Sequence, residues 1–411
     1  MKQSIIDHYR SLSYGLFIHM GLYSELAGFY KGKPTPFYSE WIRLSLDIPA
    51  EDYHQLTEKF RPDSFDAKDI CRRAKQWGMK YVCFTSKHHD GFAMFDTKTD
   101  EFNSWHHLGR DFVAELAQAC REEDLMFGLY YSQAQDWEHP GGLRAYQDPP
   151  PKDLYQKYLT EKALVQLEEL LTNYGPIGYL WLDTPTGMPK EDGETIAQLI
   201  RRLQPDCLIG GRIGHGLGDV IITGDNRLPR LALDQAWELP ATLNSSWGYC
   251  ETDEDWRTPE EIIHQLSVVV SRGGNLLLNI GPDGQGRIPQ GSLDTLNAVG
   301  KYLQDRQDAF YTNQMTPDYP YEQSDFLLTS APHKLYIHLI RDPNRERVEL
   351  YHLENKVKSA RILGSNQAVD LFVGQDLEGH AYWRLTLPDA ISQDIIEVSL
   401  VEEKVKISSL K

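Results

Sequence analysis

Segments that are apolar throughout alternate with amphipathic segments along the N-terminal part of this 411-residue chain. The apolar segments are 14–21, 79–86, 125–132, 177–183, 206–211 and 274–281. Apolar residues recur every three to four positions, the period of an α-helix, at 66–78, 110–125, 154–175, 193–206 and 258–274. Strands with two apolar faces need cover on both sides, so the alternation predicts a parallel β-sheet flanked by helices.

The number of these strand–helix units favours one architecture. At least six of them predict a (β/α)8-like barrel, irregular at 212–250, where the pattern is Gly-rich and ambiguous. An open doubly wound sheet is the alternative, although no glycine fingerprint opens the first unit.

The C-terminal part of the chain has a different pattern. From about residue 312 the helical period disappears, and short segments alternate polar with apolar residues at 334–340, 347–353, 368–374, 381–387 and 395–401. This pattern predicts an antiparallel β-sandwich. We therefore expect a barrel domain at 1–315 and a sandwich domain at 316–411, with the boundary within 312–325.

Charge and cysteine content limit the partners and the compartment. With 42 basic against 60 acidic residues the net charge is −18, which disfavours nucleic acid and anionic membrane surfaces and fits a neutral small substrate. The five cysteines lack CxxC spacing, so reduced thiols are expected. The N-terminus lacks the apolar stretch of a secretory signal, which predicts a cytoplasmic protein. An oligomer is compatible with these features.

Titratable and aromatic residues follow five of the predicted strands. They are His19, the pair His88 and His89, the pair Tyr130 and Tyr131, Trp181 with Asp183, and Arg212. The carboxyl ends of barrel strands converge on one face, so these residues predict an active site. A metal site built from His19, His88 and Asp183 is an alternative. Adjacent strand residues point to opposite faces, however, so both members of the histidine pair could ligate one ion only where the strand ends.

Asp183 is the most informative single residue. It directly follows the apolar run "YLWL", where a carboxylate is costly to bury unless it is paired or functional. Capping the next helix is the structural alternative. Trp181 is two positions earlier and shares the strand face of Asp183, so its ring could stack on a sugar; barrel packing is the alternative role for this residue.

A series of motifs resembles one enzyme family. In order they are "YGLFIHMGLYS", "SEW", "KYVCFTSKHHDGFAMFD", "FGLYYS", "LLTNYGPIGYLWLD", "WELPATLNSSWGY" and "SRGGNLLLNIGPDGQGRIP". Over residues 12–312 they resemble the α-L-fucosidases of glycoside hydrolase family 29. The resemblance implies a (β/α)8-like barrel, a retaining mechanism without metal or other cofactor, and a fucosylated oligosaccharide as substrate.

The same resemblance implies roles for individual residues. Asp183 matches the nucleophile. The residues implied to contact the sugar are His19, Glu40, Trp41, His88, His89, Tyr131, Trp181 and Arg212. Those implied to enclose the C6 methyl group are Phe17, Tyr38 and Trp247. An apolar enclosure would reject galactose, whose 6-hydroxyl would lack a hydrogen-bond partner.

The acid/base residue needs separate consideration, because family members place it at different points. We predict Glu238 in "AWELP", since Trp237 and Leu239 would favour its protonated form. Asp225 in "ITGDN", Glu40 and Glu251 are the alternatives. Among family members an acid at a "WE" position goes with a preference for α-1,3/1,4-linked fucose, so the resemblance implies this preference here. A non-catalytic fucose-binding barrel and a metal-dependent hydrolase are the other functions compatible with these residues.

Overall fold

The computed structural model describes residues 2–229, 233–311, 319, 326–340, 347–377, 379–387 and 394–408, and the backbone of 314–315. Eight parallel strands form one sheet: β1 Tyr14–Ile18, β2 Tyr81–Lys87, β3 Met126–Ser132, β4 Tyr179–Asp183, β5 Leu208–Ile209, β6 Ile221–Ile222, β7 Trp237–Thr242 and β8 Asn275–Ile280.

The strand order shows that this sheet is a barrel. Strands that are consecutive along the chain are neighbours in the sheet, and β1 also pairs with β8. A parallel bridge between Gly210 and Val220 joins β5 to β6 and completes the ring. The predicted (β/α)8-like barrel is therefore confirmed. The ambiguous stretch 212–250 contains β6 and β7, which the sequence pattern does not reveal.

Helices cover the barrel close to where the sequence predicts them. The longer ones are Lys2–Leu12, Ala67–Gln76, Phe112–Glu123, Lys152–Tyr158, Leu164–Asn173, Lys190–Leu203, Pro259–Ser271 and Gln290–Gln304. Side chains cap several of them; Asp111, for example, accepts a hydrogen bond of 2.8 Å from the Ala114 N–H. A π-helical turn, Leu159–Ala163, interrupts the segment predicted as one helix at 154–175.

Short elements fill the loops at the carboxyl ends of the strands. They are the hairpin of Phe29–Tyr30 and Lys33–Pro34, and the short helices Tyr23–Leu26, Ser39–Trp41, Ile42–Ser45, Ala50–His54, Leu56–Lys59, Ser104–Leu108 and Gly211–Ile213. A further short helix, Gln307–Phe310, follows the helix Gln290–Gln304. Within the described ranges, no helix is both long enough and apolar enough to cross a membrane.

The C-terminal part contains two antiparallel sheets. Their strands are β9 Gln314–Met315, β10 Phe326–Ala331, β11 Lys334–Leu339, β12 Arg347–Tyr351, β13 Val357–Ile362, β14 Asp370–Gln375, β15 Ala381–Thr386 and β16 Ile395–Leu400. The sheet orders are β9-β10-β11-β16-β13 and β12-β15-β14. Ile337 and Val398 of the first sheet share one apolar core with Leu350 and Trp383 of the second, which confirms the predicted sandwich.

The sandwich packs against the helices of the barrel. Thr329 Oγ1 donates to the Ala309 carbonyl at 2.8 Å, and Arg306 pairs with Asp394 at 2.8 Å. The predicted boundary at 312–325 lies mostly outside the described residues, so the division at 315 stays a prediction.

Candidate active site

A cavity of about 530 Å³ opens at the carboxyl ends of the barrel strands. Its lining residues are Phe17, His19, Phe37, Tyr38, Glu40, Trp41, His88, Tyr130, Tyr146, Trp181, Asp183, Thr184, Arg212, Asp225 and Trp247. Ten of the thirteen predicted site residues are therefore brought together. The exceptions are His89, Tyr131 and Glu238.

Asp183 ends β4 and is held by donors on both oxygens. Its Oδ1 accepts a hydrogen bond of 3.1 Å from Arg212 Nη1, and its Oδ2 accepts one of 2.9 Å from the Tyr130 hydroxyl. Burial by itself would raise the pKa of Asp183, but Arg212, His89 and Tyr130 outweigh it and hold the pKa below its usual value. Asp183 is consequently ionised at neutral pH, as a nucleophile requires.

Arg212 links two carboxylates of the cavity. Its Nη1 contacts Asp183, while its Nη2 pairs with Asp225. The guanidinium also lies over the Trp181 ring, 4.8 Å from its centroid. The two carboxylates are therefore held by the same cation.

Three histidines near the cavity are electrically neutral. Burial is the main cause: it lowers the pKa of His19 to about 3, that of His89 to about 4, and that of His88 well below its usual value. His19 Nδ1 contacts Asn279 Oδ1 at 2.7 Å, which leaves its other ring nitrogen available. A neutral imidazole can both donate and accept, which suits sugar hydroxyls.

His88 and His89 have different positions. The His88 ring lines the cavity and stacks on Tyr130 at 5.2 Å. His89 does not line it: its Nδ1 contacts Ser132 Oγ at 2.7 Å, and its Nε2 lies 3.7 Å from Asp183 Oδ2. The buried Nε2 of His89 has no hydrogen-bond partner among the described residues and lies beside the carboxylate of Asp183, so the contact of His89 with the sugar stays a prediction.

Glu40 is a second buried carboxylate of the cavity. Glu40 lies within the short helix Ser39–Trp41. Its Oε2 accepts hydrogen bonds from the Gly248 N–H at 2.9 Å and from Ser246 Oγ at 3.4 Å. Burial raises the pKa of Glu40 to about 7 despite these hydrogen bonds. Trp41 lines the cavity beside it and contacts the His89 ring at 4.9 Å.

Phe17, Tyr38 and Trp247, the residues predicted to enclose the C6 methyl group, lie together in the lining of the cavity. The Phe17 ring lies 5.9 Å from that of Trp247 and 5.4 Å from that of Trp181. These residues come from a strand, a loop after the hairpin and the loop after β7, so only the folded barrel brings them together.

The prediction that Tyr131 contacts the sugar is wrong, and the neighbouring Tyr130 lines the cavity in its place. Tyr131 points out of the barrel into the helical layer, where its hydroxyl donates to Gln166 Oε1 at 2.8 Å. Tyr130 pairs in register with Trp181 and faces the cavity. The cause is the alternation of side chains along a strand, which places consecutive tyrosines on opposite faces.

Glu238 is also wrongly predicted as the acid/base. It is the second residue of β7 and lies near the amino end of the barrel, whereas the cavity opens at the carboxyl ends. Its carboxylate is fully buried and accepts hydrogen bonds from the Tyr9, Tyr81 and Tyr179 hydroxyls and from Trp181 Nε1. Four donors inside the barrel occupy the group, so it cannot reach a substrate.

Five residues of the cavity are not among the thirteen predicted site residues, although Tyr130 was noted at the end of its strand and Asp225 as an alternative acid/base: Phe37, Tyr130, Tyr146, Thr184 and Asp225. Tyr130 could have been found from strand alternation, given that Trp181 and Asp183 face the cavity. The ion pair of Asp225 with Arg212 has no signal in the sequence. The other three are loop residues with no local signal in the sequence.

The arrangement combines groups that suit chemistry at an acetal carbon. The ionised carboxylate of Asp183, the two further carboxyl groups of Glu40 and Asp225, and neutral imidazoles face a space that is walled on one side by aromatic rings. No group of three or more His, Cys, Asp or Glu residues with the geometry of a metal site occurs among the residues that the structure describes. The oxygens of Asp183 are already bound by Arg212 and Tyr130.

Comparison with known proteins identifies the family of the chain. The model for the family Alpha-L-fucosidase matches residues 1–308 of the chain. The chain belongs to the α-L-fucosidase family. Its activity is accordingly that of an α-L-fucosidase, the hydrolysis of α-L-fucosides.

Individual relatives of the family agree with this result. The plasma α-L-fucosidase of Rattus norvegicus is 30% identical, and the match covers 80% of this chain and 75% of that protein. The crystal structure of the Vibrio sp. strain EJY3 α-L-fucosidase is 32% identical with a TM-score of 0.91, covering 99% of this chain and 74% of the other. α-L-Fucosidase AlfC from Lactobacillus casei, in complex with α-L-fucose, is 37% identical with a TM-score of 0.68, covering 73% and 98%.

Proposed function

We propose that this α-L-fucosidase is a retaining exo-glycosidase that releases terminal α-L-fucose from oligosaccharides through a covalent intermediate on Asp183. The observation that carries the proposal is the arrangement at Arg212, whose two terminal nitrogens pair with Asp183 and Asp225. Retaining hydrolysis needs two carboxyl groups about 5–5.5 Å apart, one to attack and one to protonate. The ion pairs of Asp183 and Asp225 with one guanidinium support these two residues as the pair of carboxyl groups.

In the first step Asp183 attacks C1 of the fucose. The bond between C1 and the glycosidic oxygen breaks, and that oxygen takes a proton from the second carboxyl group, so that the rest of the oligosaccharide leaves as an alcohol. Arg212 and Tyr130 keep Asp183 ionised and oriented before the attack. The product of this step is a fucosyl ester of Asp183.

In the second step water replaces Asp183 at C1. The carboxylate that gave up its proton now takes one from the water, and Asp183 leaves as a carboxylate. Two inversions at C1 restore the original anomeric configuration of the sugar.

We assign the acid/base role to Asp225. Glu238 is excluded by its place inside the barrel, and Glu251 does not line the cavity. Asp225 and Glu40 remain as carboxyl groups in the cavity beside Asp183. Asp225 is favoured because it shares Arg212 with the nucleophile, whereas Glu40 is anchored to the Gly248 N–H and is better placed to accept from a sugar hydroxyl.

The cavity has a polar wall of histidines and an apolar wall of aromatic rings, and the two together suit the recognition of fucose. Neutral His19 and His88 can exchange hydrogen bonds with hydroxyls, and the rings of Phe17 and Trp247 offer an apolar surface to the C6 methyl group. Structures of the Lactobacillus casei enzyme hold α-L-fucose, 4-nitrophenyl-α-L-fucopyranoside and Fucα(1,6)GlcNAc, which supports fucosides as the ligands of this cavity.

The nucleophile is tested with a 2-fluoro fucosyl donor, followed by peptide mass spectrometry. The modified peptide should contain Asp183, and NMR of early product should show the α-anomer. A label on another residue, or product that first appears as the β-anomer, would refute the mechanism. Binding of fucosides without any turnover would favour the alternative of a non-catalytic fucose-binding protein.

The acid/base is tested with Asp225→Ala and Glu40→Ala in parallel. Loss of a general acid costs about 10²–10⁴-fold with a natural leaving group. We expect this loss for Asp225→Ala on a fucosyl disaccharide, a much smaller loss on 4-nitrophenyl fucoside, and rescue by azide. The same three results for Glu40→Ala, with Asp225→Ala close to wild type, would transfer the role to Glu40.

The linkage preference needs measurement. The predicted preference for α-1,3/1,4-linked fucose depends on Glu238 as the acid, and this premise is lost because Glu238 lies outside the cavity. Release of fucose from 2-, 3-, 4- and 6-linked oligosaccharides, assayed side by side, determines the linkage.

A further inference from the structure

Two residues at the mouth of the cavity combine exposure with an aromatic ring. The side chains at the bottom, such as Phe17, His88 and Trp181, are almost completely buried. Phe37 is 51% exposed and Tyr146 is 97% exposed, yet both line the same cavity as Asp183. A gradient from buried to exposed lining residues gives the direction in which a bound ligand leaves the barrel.

Tyr146 has a backbone conformation that a bulky residue rarely adopts. Its φ angle is +64°, in the left-handed region. The flanking residues fix the loop: the Ala145 N–H donates to Gln135 Oε1 at 2.8 Å, and Arg144 Nη2 donates to the Trp137 carbonyl at 2.8 Å. A ring that is almost fully exposed gains nothing from packing that would offset the strain, and strain of this kind is concentrated at ligand sites.

Phe37 extends the aromatic wall of the cavity outward. Its ring meets that of Tyr38 at 6.4 Å and that of Trp41 at 6.2 Å, both of which also line the cavity. The aromatic surface therefore continues from the expected position of the fucose to the solvent. A cavity of about 530 Å³ is larger than a single deoxyhexose requires.

We propose that Phe37 and Tyr146 form a subsite for the sugar that carries the fucose. This inference rests on the proposed function, because it takes the fucose to be bound at the bottom of the cavity. A hexopyranose has apolar C–H faces that pack on aromatic rings, while its hydroxyl groups at the ring edge remain in water. The subsite selects fucosides whose leaving group is a pyranose over those with a small leaving group.

The test compares two substrates that differ only in the leaving group. One is a fucosyl disaccharide, and the other is α-L-fucosyl fluoride, whose leaving group has no ring that could stack. In the Phe37→Ala/Tyr146→Ala double variant we expect kcat/KM for the disaccharide to fall about tenfold, mainly through a higher KM, and kcat/KM for the fluoride to change less than about twofold. Trp105→Ala is the matched control, since Trp105 is 50% exposed and lies outside the cavity lining.

Two single variants separate the role of the ring from a structural role. Tyr146→Phe keeps the ring and should retain the wild-type kcat/KM for both substrates. Tyr146→Gly removes the ring and relieves the left-handed strain, so its unfolding temperature should equal or exceed that of the wild type while the selectivity for the disaccharide falls.

Other results would refute either the subsite or the proposed function. Equal losses on both substrates, or no loss on the disaccharide, would show that the two rings do not contact the leaving group. A wild-type protein that turns over neither substrate would instead refute the proposed function.

Discussion

The position of Glu238 leads to a prediction that separates a structural carboxylate from a catalytic one. Oε2 of Glu238 accepts from the Tyr9 hydroxyl at 2.5 Å and from the Tyr81 hydroxyl at 2.8 Å, and Oε1 accepts from the Tyr179 hydroxyl and Trp181 Nε1, both at 3.0 Å. Glu238→Gln keeps the shape but replaces one of these oxygens by an NH₂ group.

The orientation of the new amide can be derived from its partners. Trp181 Nε1 can only donate, so the amide oxygen must face Trp181 and Tyr179. The NH₂ group then faces the hydroxyls of Tyr9 and Tyr81, which can turn to accept. Each partner keeps a hydrogen bond to the side chain, but the Tyr9 and Tyr81 hydroxyl hydrogens lose their carboxylate acceptor, so we expect Glu238→Gln to lower the free energy of unfolding by about 1–3 kcal/mol.

Glu238→Ala removes both oxygens and is the severe counterpart. It leaves four buried donors without an acceptor, at about 1–3 kcal/mol for each group, so a loss of about 4 kcal/mol or more is expected. The two free energies are measured by urea unfolding, followed through tryptophan fluorescence.

Activity provides the decisive comparison. Because Trp181 stays fixed in Glu238→Gln, kcat/KM for a fucosyl disaccharide should remain within about threefold of the wild type, whereas removal of a general acid costs about 10²–10⁴-fold. A Glu238→Gln protein with nearly full stability that loses activity on this scale, and recovers it with azide, would show that the assignment of Glu238 to the barrel interior is wrong.

Two further predictions concern the cavity. Tyr130→Phe removes a hydrogen-bond donor from Asp183, so the pKa of Asp183 should rise and the acid limb of the pH profile of kcat/KM should move to higher pH. Tyr131→Phe is the control, because it loses only the hydrogen bond to Gln166. It should leave the pH profile unchanged and lower the free energy of unfolding by about 1 kcal/mol. Glu40 has a pKa of about 7 in the folded protein, whereas in the unfolded chain it titrates near pH 4.5. Between these values the folded protein holds a proton that the unfolded chain has released, so the stability that this proton contributes is lost as the pH rises from about 4.5 to about 7. Glu40→Gln lacks this titration, so its free energy of unfolding relative to that of the wild type should increase by about 3 kcal/mol over that pH range. Urea unfolding at several pH values measures this difference. A difference between the two proteins that does not change with pH would contradict the raised pKa of Glu40.

The sequence by itself determined the architecture and most of the cavity wall. Apolar strands such as 79–86 and 177–183 require helices on both sides, and this requirement is local enough to be recognised from composition and period. Asp183 could be selected because a carboxylate after an apolar run has few acceptable structural roles. The order of the motifs then gave His19, His88 and Arg212, which the fold brings to one end of the barrel.

Only the tertiary structure decided which end and which face of a strand each residue occupies. Glu238 lies near the amino end of β7 because pairing with β8 sets where that strand begins, and nothing in "AWELP" specifies this. The choice between Tyr130 and Tyr131 depends on register with β4, since a shift of one residue reverses the face of every side chain. The partnership of Asp225 with Arg212 joins residues of two different loops. Register and loop contacts are non-local, which is why the sequence could identify the candidates for catalysis but not arrange them.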